Sequence, residues 1–160
     1  MTEFRSLVDA LVAADVQFIV VGGLAATAHG SARVTQDIDV VYLRTLPNLD
    51  RLIAALAPFD PYLRGAPRGL PFAWSVETIR RGLNFTLTTS LGDIDLLGEI
   101  TGGGGYDALL PHSIRVTMFG HVCLCLDLPT LIRVKRAAGR PRDLDAIAEL
   151  EALEDERRRS

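Results

Sequence analysis

The segment Val20 to Leu43, VVGGLAATAHGSARVTQDIDVVYL, limits the folds open to this chain more than any other stretch. A short apolar β run, Gln17 to Val21, stops at Gly22-Gly23, and the alanine-rich stretch Leu24 to His29 then reads as a short helix ending at Gly30. From Asp37 to Leu43 the pattern returns to β character. Strand, glycines, helix and strand follow one another with almost no connecting chain, which is the pattern of an α/β layer.

The flanking sequence extends that layer. Phe4, Leu7, Val8, Leu11 and Val12 share one face of a helix over Thr2 to Ala14, and Leu49, Leu52, Ile53 and Leu56 do so after a start at Thr45 and Pro47. Pro58 to Pro71 is rich in proline, glycine and arginine and reads as a mobile surface loop; Phe72 to Arg81 has no decisive pattern. Two hairpins follow, Asn84 to Thr88 with Asp93 to Leu97, and Ile114 to Met118 with His121 to Leu126. Leu128 to Ala138 is a helix closed by Gly139, and Pro141 opens a last helix running into the charged tail. The expectation is a single α/β (α+β) domain over residues 1–160, with a mixed β-sheet, helices packed behind it, a core at about 17–150 and a charged tail at 151–160.

Composition excludes several classes. With 48% hydrophobic and 23% charged residues among 160, the chain buries an ordinary core and is not disordered. No apolar run reaches the roughly 18 to 20 residues that span a bilayer. No basic patch leads into an apolar stretch at the start, so a cytoplasmic protein without membrane partners is expected. The net charge of -3 argues against coating nucleic acid by bulk attraction but leaves room for a local basic site. Cys123 and Cys125 share a strand face, suit neither a zinc site nor a relaxed disulfide, and read as reduced, buried thiols. Sixteen arginines accompany one lysine, Lys135, which marks that lysine as a residue to follow.

The chemistry concentrates on aspartates. Alternation on a strand points Asp37 and Asp39 the same way, about 7 Å apart at the backbone, while Ile38 and Val40 face the core. A D-x-D pair alone is most often a solvated strand face. Upstream, Gly22-Gly23 lead into a helix whose free amides suit a phosphate, and downstream GDIDLLG places Asp95 between Ile94 and Leu96. If that strand lies beside Asp37 and Asp39, three carboxylates surround one point, the arrangement that holds two magnesium ions for phosphoryl or nucleotidyl transfer. Asp95 is preferred over Asp93, which adjoins the hairpin glycine, as the third ligand.

Gly22-Gly23, thirteen residues, D-I-D and a later apolar-Asp-apolar strand together resemble the signature of the DNA polymerase β-like nucleotidyltransferase superfamily. GGLAATAHGSARVTQDIDV and LIRVKRAAGRPRDLDAIAEL resemble, more narrowly, the small bacterial branch of abortive-infection (AbiE-type) toxin enzymes, over about Gln17 to Leu150. The resemblance implies a nucleotidyltransferase fold, Mg2+ with Mn2+ as the alternative, and an NTP donor whose nucleoside monophosphate passes to an acceptor hydroxyl. It assigns Asp37, Asp39 and Asp95 to metal binding and catalysis, and Gly22, Gly23 and Lys135 to the triphosphate. Arg33 either neutralises a phosphate oxygen or pins its loop to a carboxylate.

The acceptor is open between RNA, especially a tRNA 3' end, a partner protein that would be AMPylated, and a small-molecule hydroxyl; a cognate antitoxin partner is also implied. Arg64, Arg68, Arg80, Arg81 and the Arg133 to Arg142 cluster are the candidate RNA phosphate contacts. A non-catalytic NTP-binding or toxin-antitoxin module is the alternative to an enzyme. Asp145 stands one position early relative to the D-L-x-D of the family pattern; charge stabilisation at a helix start accounts for both Asp143 and Asp145, with ordering of Lys135 or Arg140 as a second role for Asp143. Gly102 to Gly105 reads as a flexible connection; His29, His112 and His121 lack metal-ligand spacing, and Trp74, Tyr42 and Tyr106 read as core aromatics.

Overall fold

Residues 2–160 are described by the computed structural model. Its first half runs α1 (Phe4–Ala13), β1 (Phe18–Val21), α2 (Gly22–Ala28), β2 (Asp37–Tyr42), α3 (Leu46–Leu56), β3 (Tyr62–Leu63) and α4 (Val76–Arg81). Its second half runs β4 (Asn84–Thr89), β5 (Gly92–Leu97), β6 (Glu99–Ile100), β7 (Gly104–Gly105), α5 (Tyr106–Leu109), β8 (Ser113–Met118), β9 (His121–Leu126), α6 (Leu128–Ala138) and α7 (Leu144–Arg159).

Seven strands form one mixed sheet in the order β3-β4-β5-β2-β1-β9-β8. β1 lies between β2, antiparallel to it, and β9, parallel to it, and all four of its residues are buried. The two hairpins are β4-β5 and β8-β9, and β5 joins the centre by pairing parallel with β2. In β2 and β5 the period of two is plain, because Ile38, Val40, Ile94 and Leu96 are fully buried while Asp37, Asp39, Asp93 and Asp95 between them are half-buried on the other face. Truncating one of those core residues, as in Ile38→Ala, costs about 2–5 kcal/mol.

The helices close the core. Leu7, Val8 and Leu11 of α1 and Leu49, Leu52 and Leu56 of α3 are buried in one cluster with the strand residues, and α1 packs on α3. Asn48, wholly buried, ties α3 to the strand ends by accepting from the Gln17 amide at 2.7 Å and donating to the Leu43 carbonyl at 2.7 Å. α6 starts at Asp127, whose Oδ1 accepts the Thr130 amide at 2.9 Å, a cap whose loss costs about 1 kcal/mol. It packs on both α2 and α7.

Several local expectations change. Gly22 and Gly23 form the first turn of α2 instead of preceding it. Pro58 to Pro71 is only partly loop, for it holds a 3-10 turn at Ala57–Phe59 and the edge strand β3. The undecided stretch after it contains α4, capped by Ser75, which accepts the Thr78 amide. Gly104–Gly105 pairs with Glu99–Ile100 in a separate two-stranded ribbon, so the glycine run is ordered by backbone bonds. The charged tail continues α7, and Arg157 bonds back to His29. Among the described residues no helix is long and apolar enough to cross a membrane.

Candidate metal centre

The parallel pairing of β2 and β5 sets Asp37 beside Asp93 and Asp39 beside Asp95. Four carboxylates therefore share one face of two adjacent strands. Asp37, Asp39 and Asp95 each offer an oxygen, and these three atoms lie within 4.8 Å of one another. Hard oxygen donors at such spacing suit Mg2+ or Mn2+ and not a soft metal.

A second feature suits the cluster to a cation. Asp39 as a residue is half-buried, yet its Oδ1 is sealed from solvent and has no hydrogen-bond partner. A buried, unpaired carboxylate oxygen is costly unless something positive completes it. Burial first, and then the negative charge of Asp37, push the Asp39 carboxyl up to about 8, Arg64 opposing. Asp37 is raised as well, by burial and then by Asp95, against the pull of Arg64. Carboxyls held above their usual range by burial and by one another's charge are stabilised in their ionised form when a divalent cation binds between them.

The two glycines have a packing reason. Gly22 adopts φ +65°, and a Cβ there would stand 2.1 Å from Asp39 Oδ2; at Gly23 a Cβ would stand 2.5 Å from Thr35 Oγ1. Each is glycine because a side chain of the β2 segment occupies the space. Thr35 is fixed in turn by donating to the Asp37 carbonyl at 3.1 Å. Val21, the last residue of β1, sits opposite Asp39, so the start of α2 adjoins the acidic cluster.

Lys135 lines two recesses. One, of about 430 Å3, is walled by Val21, Gly22, Asp39, Asn84, Leu131 and Lys135, and so opens beside the acidic cluster. The other, of about 200 Å3, includes Gly23, Arg33, Thr35, Lys135 and Arg142. Lys135 Nζ lies 3.8 Å from Asp143 Oδ1, and Arg140 Nε donates to Asp143 Oδ2 at 2.7 Å. Asp143 is buried and orders both cations. Arg33 stands at 4.0 Å from both Asp145 and Glu149 of α7, which favours the pinning role.

Arg64 departs most from the sequence reading. It was expected on a mobile loop as a contact for RNA phosphate, but its guanidinium points into the acidic face, with NH2 donating to Asp95 Oδ1 at 2.8 Å and to the Leu87 carbonyl at 2.8 Å. NH1 is 3.5 Å from Asp37 Oδ2, and Nε is 3.4 Å from Asp93 Oδ2 without hydrogen-bond geometry. Asp93, expected to be merely solvated, is thus an ion-pair partner of Arg64. The only sequence signal was an arginine one residue past a two-residue strand, too short for alternation to reveal which way it pointed.

Other candidates lie elsewhere. His29 is buried; Arg157 can only donate to its Nδ1, so its Nε2 carries the proton and donates to the Leu126 carbonyl at 2.7 Å. His121 pairs with Asp9 at 2.6 Å. Cys123 and Cys125 are free and buried, and burial pushes the Cys125 thiol up to about 12. Trp74 donates to the Ile53 carbonyl and Tyr42 to the Leu83 carbonyl, so both serve the fold.

No protein-family model and no curated protein matches the chain. Among solved structures it is similar to a candidate nucleotidyltransferase from Thermotoga maritima, with a TM-score of 0.52 and 15% identity over 98% of this chain and 91% of that one. At that identity the likeness speaks to architecture. The chain has a nucleotidyltransferase-like fold, a mixed sheet with packed helices, and presents an aspartate triad able to hold a metal ion.

Proposed function

We propose that this protein is a magnesium-dependent nucleotidyltransferase, of the AbiE-type toxin branch, that moves a nucleoside monophosphate from an NTP to an acceptor hydroxyl. The observation that carries the reading is the convergence of Asp37, Asp39 and Asp95 within 4.8 Å together with the sealed, unpartnered Oδ1 of Asp39. The nucleotidyltransferase-like fold supports it.

Asp37, Asp39 and Asp95 would hold the divalent cation. When bound there, it would neutralise charge on the triphosphate and acidify the attacking hydroxyl. The Gly22 and Gly23 amides and Lys135 would bind phosphate oxygens, with Asp143 keeping the lysine in place. The acceptor oxygen bonds to the α-phosphorus as the bond to pyrophosphate breaks, and the hydroxyl proton passes to Asp95 and then to solvent. Arg33 shapes the approach to this site by holding the loop before β2 to α7.

For the acceptor we retain an RNA 3' end, on the family resemblance. Arg64 leaves the set of phosphate contacts for it, and Arg80 and Arg81 are each paired with Glu77. The test is incubation with Mg2+, total cell extract and NTPs labelled at either the α- or the γ-phosphate. Label from the α position alone, recovered in RNA, is the expected result. Recovery in protein identifies an AMPylating enzyme, and recovery from the γ position or from neither overturns nucleotidyl transfer in favour of a kinase or a binding module.

A further inference from the structure

Arg64 is delivered to the acidic face by a built strap. Its amide donates to the Thr86 carbonyl at 3.0 Å, extending the pairing of β3 with β4. Beyond it the chain folds back over Tyr62, whose hydroxyl donates to the Pro67 carbonyl at 2.6 Å and accepts the Leu70 amide at 3.2 Å. The Arg68 guanidinium lies over the Tyr62 ring at 4.4 Å, and Phe72 meets the ring edge-on at 5.8 Å. A proline- and glycine-rich segment held at so many points places Arg64 rather than letting it wander.

The guanidinium stands where a cation would. It touches Asp37 and Asp95, two of the three metal-ligand candidates, and is held from behind by Asp93 and the Leu87 carbonyl. A free divalent ion entering the cluster meets a positive charge a few ångströms away, an unfavourable term even in high dielectric. An ion already carried on a triphosphate arrives as a net anion, and the same guanidinium attracts it.

We propose that Arg64 is a positioning residue that acts as the resident counter-cation of the aspartate face, so that the site takes its divalent ion together with a nucleoside triphosphate and not as the free ion. This rests on the nucleotidyltransferase reading of the site. Asp93 keeps the guanidinium at hand when Asp37 and Asp95 turn to the incoming ion. A merely structural arginine would hold the carboxylates in place, and its loss would weaken ion binding; a counter-cation predicts the opposite sign.

The test is titration of the whole protein with Mn2+, followed by the electron paramagnetic resonance signal of the free ion, with and without a non-hydrolysable NTP analogue. Wild type should bind free Mn2+ weakly and the Mn2+-analogue complex well. Arg64→Gln should bind free Mn2+ about tenfold more tightly than wild type, with a smaller further gain from the analogue than wild type shows, and Arg64→Lys should restore the wild-type pattern. Arg64→Gln binding free Mn2+ no more tightly than wild type overturns the proposal and leaves the metal site standing. Binding of the Mn2+-analogue complex that Asp39→Asn fails to weaken overturns the nucleotidyltransferase reading itself, whatever Arg64 does.

Discussion

Gly22 is glycine twice over, once for its left-handed backbone and once because Asp39 fills the place of a side chain. Gly22→Ala should therefore cost about 1–3 kcal/mol and, by displacing Asp39, abolish the rise in melting temperature on adding Mn2+ with nucleotide. Thermal melts with and without the ligands read both effects, and an unchanged rise would show that Asp39 is not a ligand. Asp39 also carries a pH signature. Its carboxyl, raised from 3.8 to about 8 in the metal-free fold, keeps a proton that the unfolded chain releases near its ordinary value. The folded state binds more protons between those limits, so metal-free stability should fall as pH rises from about 4 through about 8. Cation binding must expel that proton, so Mn2+ affinity should rise with pH up to about 8 and then level off, as titrations across the range would measure.

At the scale of elements, strands with a period of two were readable in the sequence and short or irregular pieces were not. Asp37, Ile38, Asp39 and Val40 announce their faces by alternation, and Ile94, Asp95 and Leu96 do the same, so the triad followed once the two strands were set side by side. β3 has two residues and its partner arginine sits in a glycine- and proline-rich stretch, so neither the strand nor the cross-strand reach of Arg64 left a periodic trace. Gly22 reads as a helix breaker, yet it lies within α2, because the close approach of Asp39 overrides helix propensity there. The Tyr62 hydroxyl is the tie of the strap. Tyr62→Phe should speed hydrogen exchange at Leu70 while leaving the melting temperature within a few degrees, since the lost bonds contribute about 0.5–1.5 kcal/mol each. Unchanged exchange at Leu70 would mean that the segment is held by other contacts.

The molecule as a whole combines a sheet whose centre is buried with an acidic site at the junction of β1, α2, β2 and β5. Helix α6 and the turn that follows it bring Lys135, Arg140 and Asp143 to the same end of the fold, so chain segments far apart in sequence meet beside the acidic cluster. Binding that occurs only in the folded state should raise whole-molecule stability by about 2.7 kcal/mol at a hundredfold excess over Kd, and EDTA should remove that gain. The most direct measurement of the central claim is transfer of α-phosphate label from NTP with Mg2+ by wild type, Asp37→Asn and Asp39→Asn. Wild type should transfer the label, and each variant should lose about 100-fold or more of that activity. Equal transfer by all three proteins, or none by wild type across the extract, would contradict the claim.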